Sequence, residues 1–106
     1  MSVNKVILLG NVGKDPELRY PEKDRPLAFV SLATNERPSP GGIEVTEWHN
    51  LVFHGELAVM VERYVRKGTQ LYVEGKLSTR EYTDRMNIAR KRTEILVNFF
   101  EILARK

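Results

Sequence analysis

Val3 to Val12 form an apolar run rich in β-branched residues, closed by Gly13 and then Asp15-Pro16. That pattern predicts a strand buried on both faces near its middle. Tyr20 to Pro26 is turn material, and Leu27 to Thr34 alternates as a second strand. Arg37 to Gly42 holds two prolines and two glycines in six residues, which excludes regular structure and leaves a hairpin loop. Glu44 to Phe53 alternates cleanly, with Val45, Glu47, His49, Leu51 and Phe53 on one face and Thr46, Trp48, Asn50, Val52 and His54 on the other. Gly55 ends this third strand. From Glu56 to Lys67 the period changes: Leu57, Val61, Tyr64 and Val65 line one side of a helix, with Gly68 as its stop. Gln70 to Tyr82 returns to period two, Thr83 to Ala89 is polar and reads as a loop, and Arg92 to Leu103 is a last strand.

The order is three strands, one helix, two strands. Five short strands with a helix between the third and fourth is the arrangement of an all-β OB-fold barrel, although other small barrels share the pattern. Such a barrel commonly binds oligonucleotides or oligosaccharides on one strand face, but the fold alone does not assign a function.

A length of 106 residues, 42% of them hydrophobic and 29% charged, suits one globular domain. That domain is expected over 1–103, with 104–106 as a short basic end and no tail. The absence of cysteine removes disulfides, thiolate metal sites and cysteine nucleophiles. No apolar run approaches the roughly 20 residues of a membrane span, and the first residues do not read as a signal peptide, so a cytoplasmic location is expected. The formal net charge is +3, unevenly spread. Residues 1–53 carry six basic and seven acidic side chains, and residues 54–106 carry eleven and seven. A basic second half suits a polyanionic partner.

Catalysis requires a constellation, and Glu47, His49 and His54 are the one cluster to test. Glu47 and His49 share a strand face and could share a metal, but His54 points away and the spacing matches no known metal pattern. The simpler reading makes His49 a core or interface histidine and His54 an exposed polar residue. No phosphate loop or nucleophile elbow is present. No metal, cofactor or catalytic residue is therefore expected.

Binding of a single-stranded polyanion fits better, because it needs flat side chains for bases and cations for phosphates. Trp48 lies with Asn50 and His54, and Tyr82 with Arg80 and Lys76, on strand faces of the required spacing. Arg85, Arg90, Lys91 and Arg92 cluster around the last hairpin, where a merely solvated charged loop is the plainer reading. Trp48 could equally be the barrel's core tryptophan, but its neighbours Thr46, Asn50 and His54 are polar.

Several stretches together carry a resemblance: Val3 to Gly13, Asp15 to Tyr20, Leu32-Ala33-Thr34, Thr46 to His49, Tyr64 to Gly68 and Tyr72 to Leu77. Over residues 3 to about 103 the chain resembles the bacterial and mitochondrial type of single-stranded DNA-binding protein. The resemblance implies an OB-fold that holds single-stranded DNA without strong sequence preference in replication, recombination and repair. It also implies assembly into a homotetramer, a dimer of dimers, and a nucleoid-associated location. Carried over by position, Trp48 and Tyr82 match base-stacking aromatics, and Lys5, Arg19, Lys67 and Arg80 match basic positions on the DNA path. His49 matches a residue of the subunit contacts, and the first strand, with Asn4 and Val6, matches an edge that pairs with a neighbouring subunit. Lys76, Arg90 and Arg92 extend the basic strip on the residue pattern.

The departures are specific. Arg37-Pro38 stands where relatives carry a ring, and His54 stands where they often carry Phe. Asn50, Glu56, Ser78 and Glu81 replace basic residues, which predicts weaker binding because each lost phosphate contact removes about one unit of salt slope. The acidic tip that recruits replication and repair proteins is not found in this chain, so such recruitment is not expected of it. The alternatives are a protein-binding OB module of the primosome-accessory type and a metal-dependent enzyme using Glu47 and His49.

Overall fold

The computed structural model describes residues 1–104, so the basic end expected at 104–106 falls, beyond Ala104, outside the described residues. The elements are β1 (Val6–Val12), β2 (Glu17–Glu22), β3 (Arg25–Glu36), β4 (Val45–His54), α1 (Glu56–Tyr64), β5 (Gln70–Thr83) and β6 (Ala89–Ala104). Five strands close into a ring in the order β1-β5-β6-β4-β3, with β3 returning to β1 through Asn11–Ala33 and Val12–Leu32. The closing contact between β4 and β6 is parallel, Leu51 opposite Ile95 and Val52 opposite Leu96. The helix follows the third strand of this ring, as the OB-fold pattern requires.

β2 is a sixth strand that the sequence did not predict, and its last residues, Tyr20, Pro21 and Glu22, fall in the turn expected over Tyr20 to Pro26. Among the described residues it pairs only with β3, and its residues are largely exposed, so it shows no apolar alternation. Pro21 cannot donate to a ladder, which fits an edge position and the register shift between Arg19 and Glu22. Tyr20 donates its hydroxyl to Glu62 Oε2 at 2.8 Å, tying this edge to α1.

The core alternates as expected: Ala28, Val30 and Leu32 from β3, Leu51 and Phe53 from β4, Leu71 and Val73 from β5, and Ile95 and Val97 from β6. Phe53 is fully buried and meets Phe100 edge to face at 5.2 Å between centroids. Burying such a ring contributes about 1.5–3 kcal/mol, and the aromatic pair a further ~1 kcal/mol. Between Val97 and Phe100 the inward set changes from odd to even numbers. A bulge makes this possible: Gly75 pairs with Val97 and Glu74 with Phe99, so Asn98 has no opposite residue.

α1 buries Ala58 and Val61 against β3 and β4. It starts after Gly55, whose φ of 59° disfavours any side chain. It ends three residues earlier than its periodicity suggested. Val65 is already extended, φ −101° and ψ 132°, because its side chain turns into the core with its N–H still bonded to Val61 O. Gly68 is therefore not the helix stop. It belongs to a turn that closes on β1, donating to Val12 O at 2.8 Å. The last hairpin is also longer than expected, because Tyr82 pairs with Arg90 and Thr83 with Ala89. The turn shrinks to Asp84–Ile88.

Candidate nucleic-acid interface

Residues directly opposite on paired strands share a face. Arg19 is opposite Leu27, and Leu27 opposite His54. The next row runs Glu17, Phe29, Val52 and Leu96, ending on Lys76. Ser31 with Asn50, and Ala33 with Trp48, continue along β3 and β4. Glu94 with Ser78, Arg92 with Arg80, and Arg90 with Tyr82 continue along the hairpin. One outward face thus carries Trp48, His54, Arg19, Lys76, Arg80, Tyr82, Arg90 and Arg92, eight of the residues singled out in the sequence.

A groove of about 610 Å³ lies on this face. Its floor is apolar, made by Leu27, Phe29, Val52 and Leu96, with the buried Glu94 beside them, and Arg19, His54 and Arg80 line it with polar groups. A smaller depression adjoins it on the other side of Phe29, lined by Lys14, Asn50 and Arg92 among others. Trp48 stands further along the same face, 58% exposed. It is not the core tryptophan. That position belongs to Phe53, on the opposite side of the strand.

Phe29 was not singled out in the sequence. Both faces of β3 begin apolar, Leu27 and Phe29 on one and Ala28 and Val30 on the other, so its outward orientation follows only from its register with β4. In the structure Phe29 borders both depressions, and the Arg19 guanidinium carbon sits 5.2 Å from its ring centroid. Glu17 Oε1 holds Arg19 Nε at 3.1 Å and Nη2 at 2.8 Å, orienting the guanidinium plane over that ring. Arg80 is likewise 5.6 Å from the Tyr82 ring. Its ion pair with Glu94 raises its pKa further above the ordinary arginine value.

Two basic candidates sit off this row. Lys5 is at the margin where β1 joins β5, 3.5 Å from Glu74, whose pKa is lowered first by the Tyr72 hydroxyl that donates to it and then by Lys5. Lys67 lies in the turn after α1, where its backbone N–H donates to Asp15 Oδ1 at 2.8 Å. Of the residues tied to subunit contacts, Asn4 makes a two-way amide pair with the Leu77 backbone, both bonds 2.9 Å. Val6 packs against the core. His49 Nε2 is 2.9 Å from Thr34 Oγ1 on the strand side away from the groove. Among the described residues, β1 is paired along Val6–Leu9 to β5 alone, and Ile7 and Leu9 are about half exposed. Among the described residues no three His, Asp or Glu side chains gather as metal ligands, and no helix is long and apolar enough to cross a membrane.

A closed five-stranded ring with a helix after its third strand defines an OB-fold, and a face carrying aromatic rings and cations runs across β2 to β6. Residues 3–103 match the profile of the Single-strand binding protein family, and the chain belongs to that family. It is 46% identical over 111 residues to a single-stranded DNA-binding protein of Bacteroides thetaiotaomicron, covering 100% of this chain and 69% of the relative. It is 47% identical over 104 residues to one of Rhizobium meliloti, covering 93% of this chain and 60% of that relative. Its fold is similar to that of Plasmodium falciparum SSB in complex with ssDNA, with a TM-score of 0.87 and 30% identity over 98% of this chain and 97% of that one.

Proposed function

We propose that this protein binds single-stranded DNA without strong sequence preference and covers it during replication, recombination and repair, with no catalytic step. The observation that carries the reading is the single face on which rings and cations are gathered. Bases stack on Trp48, Phe29, Tyr82 and the His54 imidazole, because any base offers a flat π-face to such a platform. Phosphates follow Arg19, Arg80, Arg90 and Arg92, with Lys76, Lys67 and Lys5 at the margins. The binding unit is one domain over residues 1–103, acting where single strands arise, in the cytoplasm and on the nucleoid.

Assembly into a homo-oligomer, a tetramer built as a dimer of dimers, belongs to the same reading. The unpaired edge of β1 and the exposed Ile7 and Leu9 support it, since an open apolar edge is normally covered. Light scattering is expected to give a mass four times that of the chain, and a monomer would remove this part.

Titration with oligo-dT at low and high salt tests the reading. The chain has one tryptophan, so its fluorescence reports one place. Strong quenching by the single strand, little by a duplex of equal length, and affinity falling steeply with salt are the expected results. No quenching and no binding at low salt would reassign the face to a protein partner.

A further inference from the structure

Glu94 is a carboxylate set deep in a face otherwise furnished with cations. Its side chain is only 6% exposed, and it lines the larger groove beside Leu96, Ser78 and Arg80. A buried carboxylate costs free energy unless it is paired, and this one is paired twice. Arg80 approaches with Nε 2.9 Å from Oε1 and Nη2 3.4 Å from Oε2, and Arg92 with Nε 3.2 Å from Oε2.

These contacts use particular edges of the two arginines. Among the described residues Arg92 is held through Nε, which leaves both of its terminal nitrogens for another acceptor. Arg80 is held along its Nε–Nη2 edge, which leaves Nη1 and brings the guanidinium to the Tyr82 ring. Arg80 borders the larger groove and Arg92 the smaller depression, so Glu94 links the two and sets the separation of their cations. An arginine side chain has many rotamers, and immobilising it before the ligand arrives removes that cost from binding.

We propose that Glu94 is a positioning residue for nucleic-acid binding, holding Arg80 and Arg92 as a preorganised pair that grips successive phosphates. This rests on the reading of the face as a single-strand binding surface. The proposal reverses the sign expected from charge. If Glu94 only offset surplus positive charge, then Glu94→Gln would tighten binding and steepen the salt dependence by about one unit. If Glu94 positions the arginines, the same change loosens both and weakens binding despite the gained charge.

The test is the affinity for oligo-dT across a salt series, for the full chain and two variants whose folding is checked by circular dichroism and melting. At roughly 0.2 M salt, Glu94→Gln is expected to bind about fivefold more weakly. Glu94→Asp keeps the charge but draws the carboxylate back by one methylene, and it too is expected to weaken binding. Wild-type or tighter binding by Glu94→Gln, or wild-type binding by Glu94→Asp, overturns the proposal. Should both variants fail to fold, Arg92→Lys serves instead. It keeps the charge and leaves Glu94 paired with Arg80, and unchanged affinity would overturn the proposal in the same way. Failure of the wild-type protein to bind oligo-dT would instead sink the functional reading beneath it.

Discussion

Trp48 lies directly over the backbone of Gly13: a Cβ placed on Gly13 would come within 2.3 Å of Cζ3 of the indole and 2.5 Å of Cη2. The glycine holds the space the ring occupies, and Gly13 is itself fixed by its N–H to Ser31 O at 3.0 Å. Gly13→Ala is therefore expected to displace the indole and leave the barrel folded. A shifted tryptophan emission maximum, with severalfold weaker oligo-dT binding, is the predicted pair of effects. Trp48→Ala goes further. Stacking is worth about 1–3 kcal/mol per base, so a loss of affinity of about fivefold to 150-fold is expected. A folded Trp48→Ala protein that binds normally would show that the ring is not a platform.

Phe29 offers a separate check on stacking. Phe29→Leu preserves apolar cover on the groove floor but removes the flat ring. Affinity for oligo-dT is expected to fall about fivefold, a stacking loss near 1 kcal/mol. Affinity for an abasic oligonucleotide of equal length should stay unchanged, because the phosphates and their cations remain. Equal losses on both ligands would mean that the leucine disturbs the sheet.

The tip of the last hairpin responds to pH through Asp84. Its Oδ1 accepts from the N–H groups of Met86 at 2.8 Å and Ile88 at 3.0 Å, and its Oδ2 from Arg90 Nε at 2.9 Å. The Arg90 contact first, and then the backbone donors, hold its pKa below the ordinary 3.8. A lowered folded pKa stabilises the tip above the ordinary value, and the contribution is lost as pH falls through the folded value. The Met86 and Ile88 amide shifts, followed by NMR, should stay constant from neutrality to about pH 4 and move only below it. In Arg90→Ala the movement should begin at higher pH. An unchanged titration would show that Arg90 does not act on this carboxylate.

Gly10 is where β1 meets β3. A Cβ there would fall 2.2 Å from the backbone oxygen of Ala33, and a carbonyl cannot swing aside as a side chain can. Gly10→Ala should part the two strands where the ring closes, costing about 3 kcal/mol, the upper end of overpacking penalties. Urea unfolding would register this as a lower midpoint. An unfolding free energy within about 0.5 kcal/mol of wild type would mean that the closure is soft.

Much of this protein was legible in its residue order. The two faces of β4, with Trp48, Asn50 and His54 opposite Leu51 and Phe53, follow from period two alone, because a strand turns each successive side chain to the other side. The helix follows from a change of period and its start at Gly55. These signals are local, carried by neighbours within one element.

What the sequence hid depends on partners distant along the chain. Phe29 faces the groove because it sits opposite Val52, and neither residue's neighbours reveal that. β2 has no apolar stripe to announce it, since an edge strand is held by backbone bonds to β3 rather than by burial. The bulge at Asn98 reverses the inward side of β6 so that Val97 and Phe100 both reach the core. Glu94 was not singled out in the sequence, and only the pairing of β5 with β6 brings it against Arg80 as well as Arg92. Alternation along a strand is set by the backbone of that strand, whereas which side becomes core and which becomes surface is decided when the ring closes.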